Sequence, residues 1–143
     1  MQKPVVEVGT TIAATPSQVW QAMQHGAMFP GTEIETDWKI GHPITFTGEW
    51  NGEKFVDRGE IQTIAAEEEL SFTHWSDKDG SNKRPPSYHV VKYRLEPKGD
   101  GTEVTLSQYK GGKQVEVDAG TRAEFEKNWT KMLAGLKQSA EKH

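Results

Sequence analysis

The chain has no cysteine among its 143 residues. Disulfides, thiolate metal sites and cysteine nucleophiles are therefore excluded. Long apolar runs are missing as well. No stretch approaches the ~20 residues that cross a bilayer, and Met1-Gln2-Lys3-Pro4 lacks the apolar segment of a secretory signal. A cytoplasmic location without membrane insertion is the expectation. Runs of basic residues are absent: 17 Lys and Arg stand against 21 Asp and Glu, for a net charge of -4, so no nucleic-acid footprint is present. There is no Gly-x-Ser-x-Gly elbow, no glycine-rich phosphate loop before a helix and no His-x-x-x-His pair. No cofactor, metal site or catalytic residue is assigned. Without internal repeats, a chain of this length reads as one domain over residues 1–143.

Tryptophan is what the chain has in plenty. Trp20, Trp38, Trp50, Trp75 and Trp129 are spread along most of it. They fill a core, or several of them line a pocket for a flat apolar ligand.

The hydrophobic pattern changes period along the chain. Val5 to Ile12 alternates weakly and reads as a first or edge strand. Thr15-Pro16-Ser17-Gln18 starts a short helix, with Thr at N-cap, Pro at N1 and Gln at N3. Val19, Trp20 and Met23 form its apolar side and His25-Gly26 its end. A second short helical turn is expected over residues 27–31. Ala27, Met28 and Phe29 there form one side of a pocket mouth or an exposed partner surface.

Strands then follow at 44–50, 54–64, 70–75, 88–95 and 102–109 by alternation. Asn51-Gly52 signals a two-residue hairpin, which sets Glu49 against Lys54 and Phe46 against Asp57. Gly59 suggests a bulge or bend. Residues 76–86 form a polar loop, either a lid or a solvated connection. Successive strands joined by short turns pair antiparallel.

From Thr121 to Glu141 the period becomes helical. Phe125, Trp129, Met132, Leu133, Leu136 and Ala140 make one stripe. Thr121 and Glu124 fit a capping box at its start. A long helix after antiparallel strands buries its stripe on the sheet's concave face, and a cavity between them is expected.

Alternation turns Phe46, Trp50, Asp57, Phe72, His74, His89, Val91, Tyr93, Val104, Leu106 and Gln108 inward. The helix adds Trp129, Met132, Leu133 and Leu136. A mostly apolar wall with a few polar groups has the composition of a small-molecule pocket. The candidate ligand-binding residues are Phe46, Trp50, Phe72, His74, His89, Tyr93, Gln108, Trp129, Met132 and Leu133. His74, His89 and Gln108 are read as hydrogen-bonders that orient a ligand. The competing readings are mutual satisfaction within the core and acid–base chemistry with Asp57. Asp57 enters the pocket only if the register holds, because a slip by one residue removes it. Arg58 reads as a solvated residue opposite Thr45.

The order of elements resembles the START-related, Bet v 1-like helix-grip superfamily, and within it the Hsp90-ATPase-activator-like family of small bacterial proteins. The likeness is carried by Ala14-Thr15-Pro16-Ser17-Gln18-Val19-Trp20, Gly41-His42-Pro43-Ile44, Asp57-Arg58-Gly59-Glu60-Ile61 and Leu70-Ser71-Phe72-Thr73-His74-Trp75. Tyr88-His89-Val90-Val91-Lys92-Tyr93, Gly101-Thr102-Glu103-Val104-Thr105-Leu106-Ser107-Gln108 and Asn128-Trp129 complete it. The resemblance implies an α+β fold. A curved antiparallel sheet of about seven strands wraps a long C-terminal helix, with two short helices after the first strand. It also implies a non-catalytic cavity for a hydrophobic small molecule, whether lipid-like, polyketide or flavonoid-like. The alternatives are a cyclase or aromatase using a cavity histidine, and a surface module for a protein partner with a chaperone-related role. The co-chaperone that names the branch grips Hsp90 through a separate domain, for which no counterpart is expected here. A monomer is expected, with a dimer through an edge strand as the other possibility.

Overall fold

The computed structural model describes residues 3–29, 32–50, 52–77, 85–112 and 118–142, without the side chains of Trp50 and Ser87. Seven strands form one antiparallel sheet: β1 (Val6–Ile12), β2 (Glu33–Glu35), β3 (Pro43–Trp50), β4 (Glu53–Ala65), β5 (Glu69–Ser76), β6 (Ser87–Lys98) and β7 (Gly101–Gly112). Their order across the sheet is β1-β7-β6-β5-β4-β3-β2. Every neighbour is thus a neighbour in sequence, except that β1 returns to pair with β7. The sheet curves around the long helix α2 (Ala119–Glu141), and the short helix α1 (Pro16–Ala22) follows β1.

The expected register holds where it was readable. Glu49 faces Lys54, Phe46 faces Asp57 and Thr45 faces Arg58. Between β4 and β5 the ladder shifts between Ile61 and Thr63, which lets both Ile61 and Ile64 contribute to the core. Gly59 is not that bulge. There β4 presses so closely on β5 that a Cβ would lie 1.8 Å from the Thr73 carbonyl oxygen, so only glycine fits. Strand β2 was not placed by pattern. Its Glu-Ile-Glu is too short to alternate, yet Ile34 pairs with Phe46.

Helix α1 starts as its residues dictate. The Thr15 hydroxyl accepts from the Gln18 N–H at 3.2 Å, and the Gln18 side chain accepts from the Thr15 N–H at 2.9 Å. The first helix ends where expected: the backbone leaves helical values at His25 and at Gly26 (φ +93°), and this kink separates it from a second helical piece at Ala27 and Met28. Gly26 makes the break because it adopts the left-handed backbone without strain; residues 30 and 31 of the expected second turn lie outside the described residues. Met28 and Phe29 are buried at 0 % and 7 % exposure. They therefore pack under the sheet and do not form an exposed partner surface.

Helix α2 begins two residues before the proposed capping box. Asp118 is its N-cap and accepts from the Thr121 N–H at 2.7 Å, which holds the Asp118 carboxyl below the usual carboxylate range. The weak helix formers in the first turn, Gly120 and Thr121, disguised the start. The stripe itself is as read. Trp129, Leu133, Leu136 and Ala140 are buried, and Phe125 and Met132 pack against the same core. Among the described residues, no helix is long and apolar enough to cross a membrane.

Candidate ligand-binding site

Two neighbouring strands present the central polar groups. His74 on β5 pairs directly with His89 on β6, and their rings stack at 6.5 Å with 20° between planes. Phe29, carried in by the turn after α1, stacks on His74 at 6.0 Å and 7°. Phe46 meets the His74 ring edge-on at 5.4 Å. Phe29 also touches Phe72 at 6.4 Å and Trp129 of α2 at 5.8 Å, while Phe125 meets His89 at 5.5 Å. The histidines thus sit in an aromatic box built from both the sheet and the helix.

The polar atoms in that box form one hydrogen-bonded chain and one ion-pair contact. In the first, Trp129 Nε1 donates to Gln108 Oε1, and Gln108 Nε2 lies 3.0 Å from His89 Nδ1. An indole only donates, so it fixes the orientation of the amide. The amide NH₂ then faces His89, and His89 Nδ1 accepts. A neutral His89 in this arrangement carries its proton on Nε2. Gln108 is 1 % exposed, and a buried amide with both ends engaged is what such depth requires. In the ion-pair contact, His74 Nε2 lies 3.1 Å from Asp57 Oδ2. Cross-strand pairing of Asp57 with Phe46 delivers the carboxylate here.

Burial differs along the grip. Phe46, Phe72, Tyr93, Gln108 and Leu133 are almost fully enclosed, and Trp129 is buried. The side chains of His74 and Asp57 keep 17 % and 21 % exposure, and His89, Phe125 and Met132 are half-buried. The less buried side chains are thus those of His74, Asp57, His89, Phe125 and Met132. Tyr93 lies deeper, and its hydroxyl has no hydrogen-bond partner among the described residues. Burial pushes that phenol well above its ordinary range.

The structure thus gathers Phe46, Phe72, His74, His89, Gln108 and Trp129 into one packed cluster, with Tyr93, Met132 and Leu133 in the same core. The Trp50 side chain lies outside the described residues, as does most of the 76–86 loop. Phe29, Phe125 and Asp57 join the group although the candidate list omitted them. Phe125 was signalled by the stripe, Asp57 by its register and Phe29 by the apolar 27–29 run, which was read as one side of a pocket mouth or a partner surface. The tryptophans do not share one space. Trp20 is buried in the core, whereas Trp75 lies beside Thr45, Arg58 and Glu60. A depression of about 620 Å³ at the β4–β5 turn is lined by Glu67, Glu68, Glu69, Arg94 and Glu96 and contains no candidate residue. Among the described residues, no group of three His, Asp or Glu side chains is arranged to hold a metal.

A curved antiparallel sheet closed by one long helix, with the paired polar groups between them, defines a helix-grip protein. The model of the family described as "Activator of Hsp90 ATPase homolog 1-like protein" matches residues 13–141, and the chain belongs to that family. The solution structure of ChR145 from Cytophaga hutchinsonii is 33 % identical, with a TM-score of 0.73 over 99 % of this chain and 97 % of that one. The Aha1 dimer from Colwellia psychrerythraea is 17 % identical, with a TM-score of 0.68 over 95 % of both chains. Ara h 8.0201 is 13 % identical, with a TM-score of 0.70 over 96 % of this chain and 97 % of that one. The last two establish likeness of fold. Among curated proteins, nothing matches the chain by sequence.

Proposed function

We propose that this protein holds a flat, hydrophobic, aromatic small molecule, without covalent chemistry, between the sheet and the first half of α2. Phe29, Phe46, Phe72, Phe125 and Trp129 supply apolar contact, and His74, His89 and Gln108 orient the ligand. Tyr93, Met132 and Leu133 form the floor. The observation that carries this reading is the aromatic box around His74 and His89, which stays part-exposed at one end while the rest of the grip is packed shut. Sites of this composition, apolar with a few converging polar groups, bind small molecules.

The test is an amide-shift titration of labelled protein against flavonoids, polyketide-like aromatics, sterols and fatty acids. Saturable shifts at His74, His89, Gln108 and Trp129 are expected with the aromatic classes. No shifts with any class would overturn the reading and favour a protein partner, as the family's name suggests. The Asp57–His74 pair also supports a second reading, acid–base catalysis on a bound polyketide. Turnover of a bound compound that is lost in His74→Phe would favour that reading over binding alone.

A further inference from the structure

We infer that Lys137 and Glu141, near the end of α2, guard the free edge of β1 against strand pairing with a second copy of this chain. The inference is independent of the pocket reading.

The sheet has two edges, β1 and β2, and an open edge is a template for another strand. Strand β2 is a poor template. It has three residues, and Glu33 and Glu35 on it are exposed; short length and charge both blunt an edge. Strand β1 has neither protection. Its seven residues, Val6–Ile12, carry one charged side chain, Glu7, and no proline.

What β1 has instead is α2. Lys137 Nζ donates to the Thr11 carbonyl at 2.7 Å and to Glu141 Oε2 at 2.8 Å, and the same carboxylate oxygen accepts from the Ala13 N–H at 2.8 Å. Backbone groups along an edge strand face its partner and the outside alternately. Thr11 and Ala13 are two residues apart and both turn to α2, so Glu7 and Gly9 belong to the same outward set. The clasp therefore occupies the second half of the edge that an incoming strand would use.

The occupant that fits the bared edge is β1 itself. Antiparallel pairing of two copies about Gly9 sets Glu7 of one against Thr11 of the other, so no like charges meet. Gly9 opposes its own copy, and no side chain crowds the centre. One patch serves both protomers, as a two-fold interface requires.

The test removes the clasp in Lys137→Ala/Glu141→Ala and follows sedimentation against concentration together with amide exchange. The wild type should sediment as a monomer. In the double variant the Ala13 amide should exchange about tenfold faster, the size of one well-made hydrogen bond. Dimers should appear as concentration rises, with contacts between Glu7 and Thr11 of different chains in mixed-label samples. Adding Gly9→Pro removes an outward N–H that the β1–β7 ladder does not use, so this triple variant should return to monomer. Glu141→Gln keeps an acceptor for Ala13 and should stay monomeric. Either single alanine variant serves if the double does not fold. A folded double variant that stays monomeric while Ala13 exchanges freely would overturn the guard and leave the clasp as a fastening of α2 alone. Unchanged Ala13 exchange, dimers that persist with Gly9→Pro, or pairing through β1 in the wild type would overturn it as well.

Discussion

The two halves of α2 do different work. The C-terminal half is fastened. Leu133, Leu136 and Ala140 are buried to 2 %, 0 % and 0 % exposure. Lys137 Nζ donates to the Thr11 carbonyl at 2.7 Å, and Glu141 Oε2 accepts from the Ala13 N–H at 2.8 Å. The N-terminal half is held by fewer groups. Its first turn is largely exposed, Phe125 is half-buried, and Trp129 is the first fully engaged side chain. The histidines and the accessible face of the box lie under this lighter half. One helix therefore anchors the fold at one end and covers the candidate site at the other, and stability and recognition are separable along its length.

Leu136→Ala at the fastened end should lower stability by about 3 kcal/mol, read by denaturant unfolding, since it leaves a cavity in a fully packed region. Trp129→Phe, at the boundary between the halves, should cost about 2 kcal/mol, because it strands the buried Gln108 carbonyl and removes indole volume. It should also release the Gln108 amide, which ring-nitrogen spectra of His89 would register.

Tyr93→Phe sharpens the contrast through pH. The buried phenol stays protonated in the folded chain, while the unfolded chain ionises near its ordinary value of 10.0. Its contribution is thus complete below pH ~10 and falls by about 1.4 kcal/mol per pH unit above it. The Phe variant should lack that share of the alkaline decline and be at least as stable at neutral pH, since the hydroxyl has no partner among the described residues. Phe125→Ala should cost the least, about 1 kcal/mol, yet weaken aromatic ligands clearly. If Phe125→Ala were as damaging to stability as Leu136→Ala, the division of α2 into anchor and cover would be wrong.

Much of this was legible in the residues. The stripe on α2, the Thr15 cap and the pairing of Phe46 with Asp57 and of His74 beside His89 follow from period and turn chemistry, which act over a few residues. What escaped depends on tertiary placement. Phe29 was read at a pocket mouth, but its stacking on His74 follows from the backbone kink at His25 and Gly26, which alternation does not show. Strand β2 exists through its pairing with β3. The start of α2 was misplaced because Asp118 caps a first turn that contains Gly120 and Thr121, both weak helix formers. The Asp57–His74 contact needed both a register and a rotamer, and alternation supplies only the first.

The return of β1 to β7 also constrains the order in which the chain can be completed. From β2 onward each strand meets its partner as soon as the next segment is made. Val6 pairs with Gln108, and a ribosome adding about 5–20 residues per second reaches that partner only after roughly 5–20 s. Throughout that interval the first strand is an unpaired edge, open to wrong partners. The final helix, which clasps Thr11 and Ala13, arrives later still. A chain stopped short of β7 keeps its earliest strand exposed, so completion of the last quarter of synthesis is what protects the first residues made.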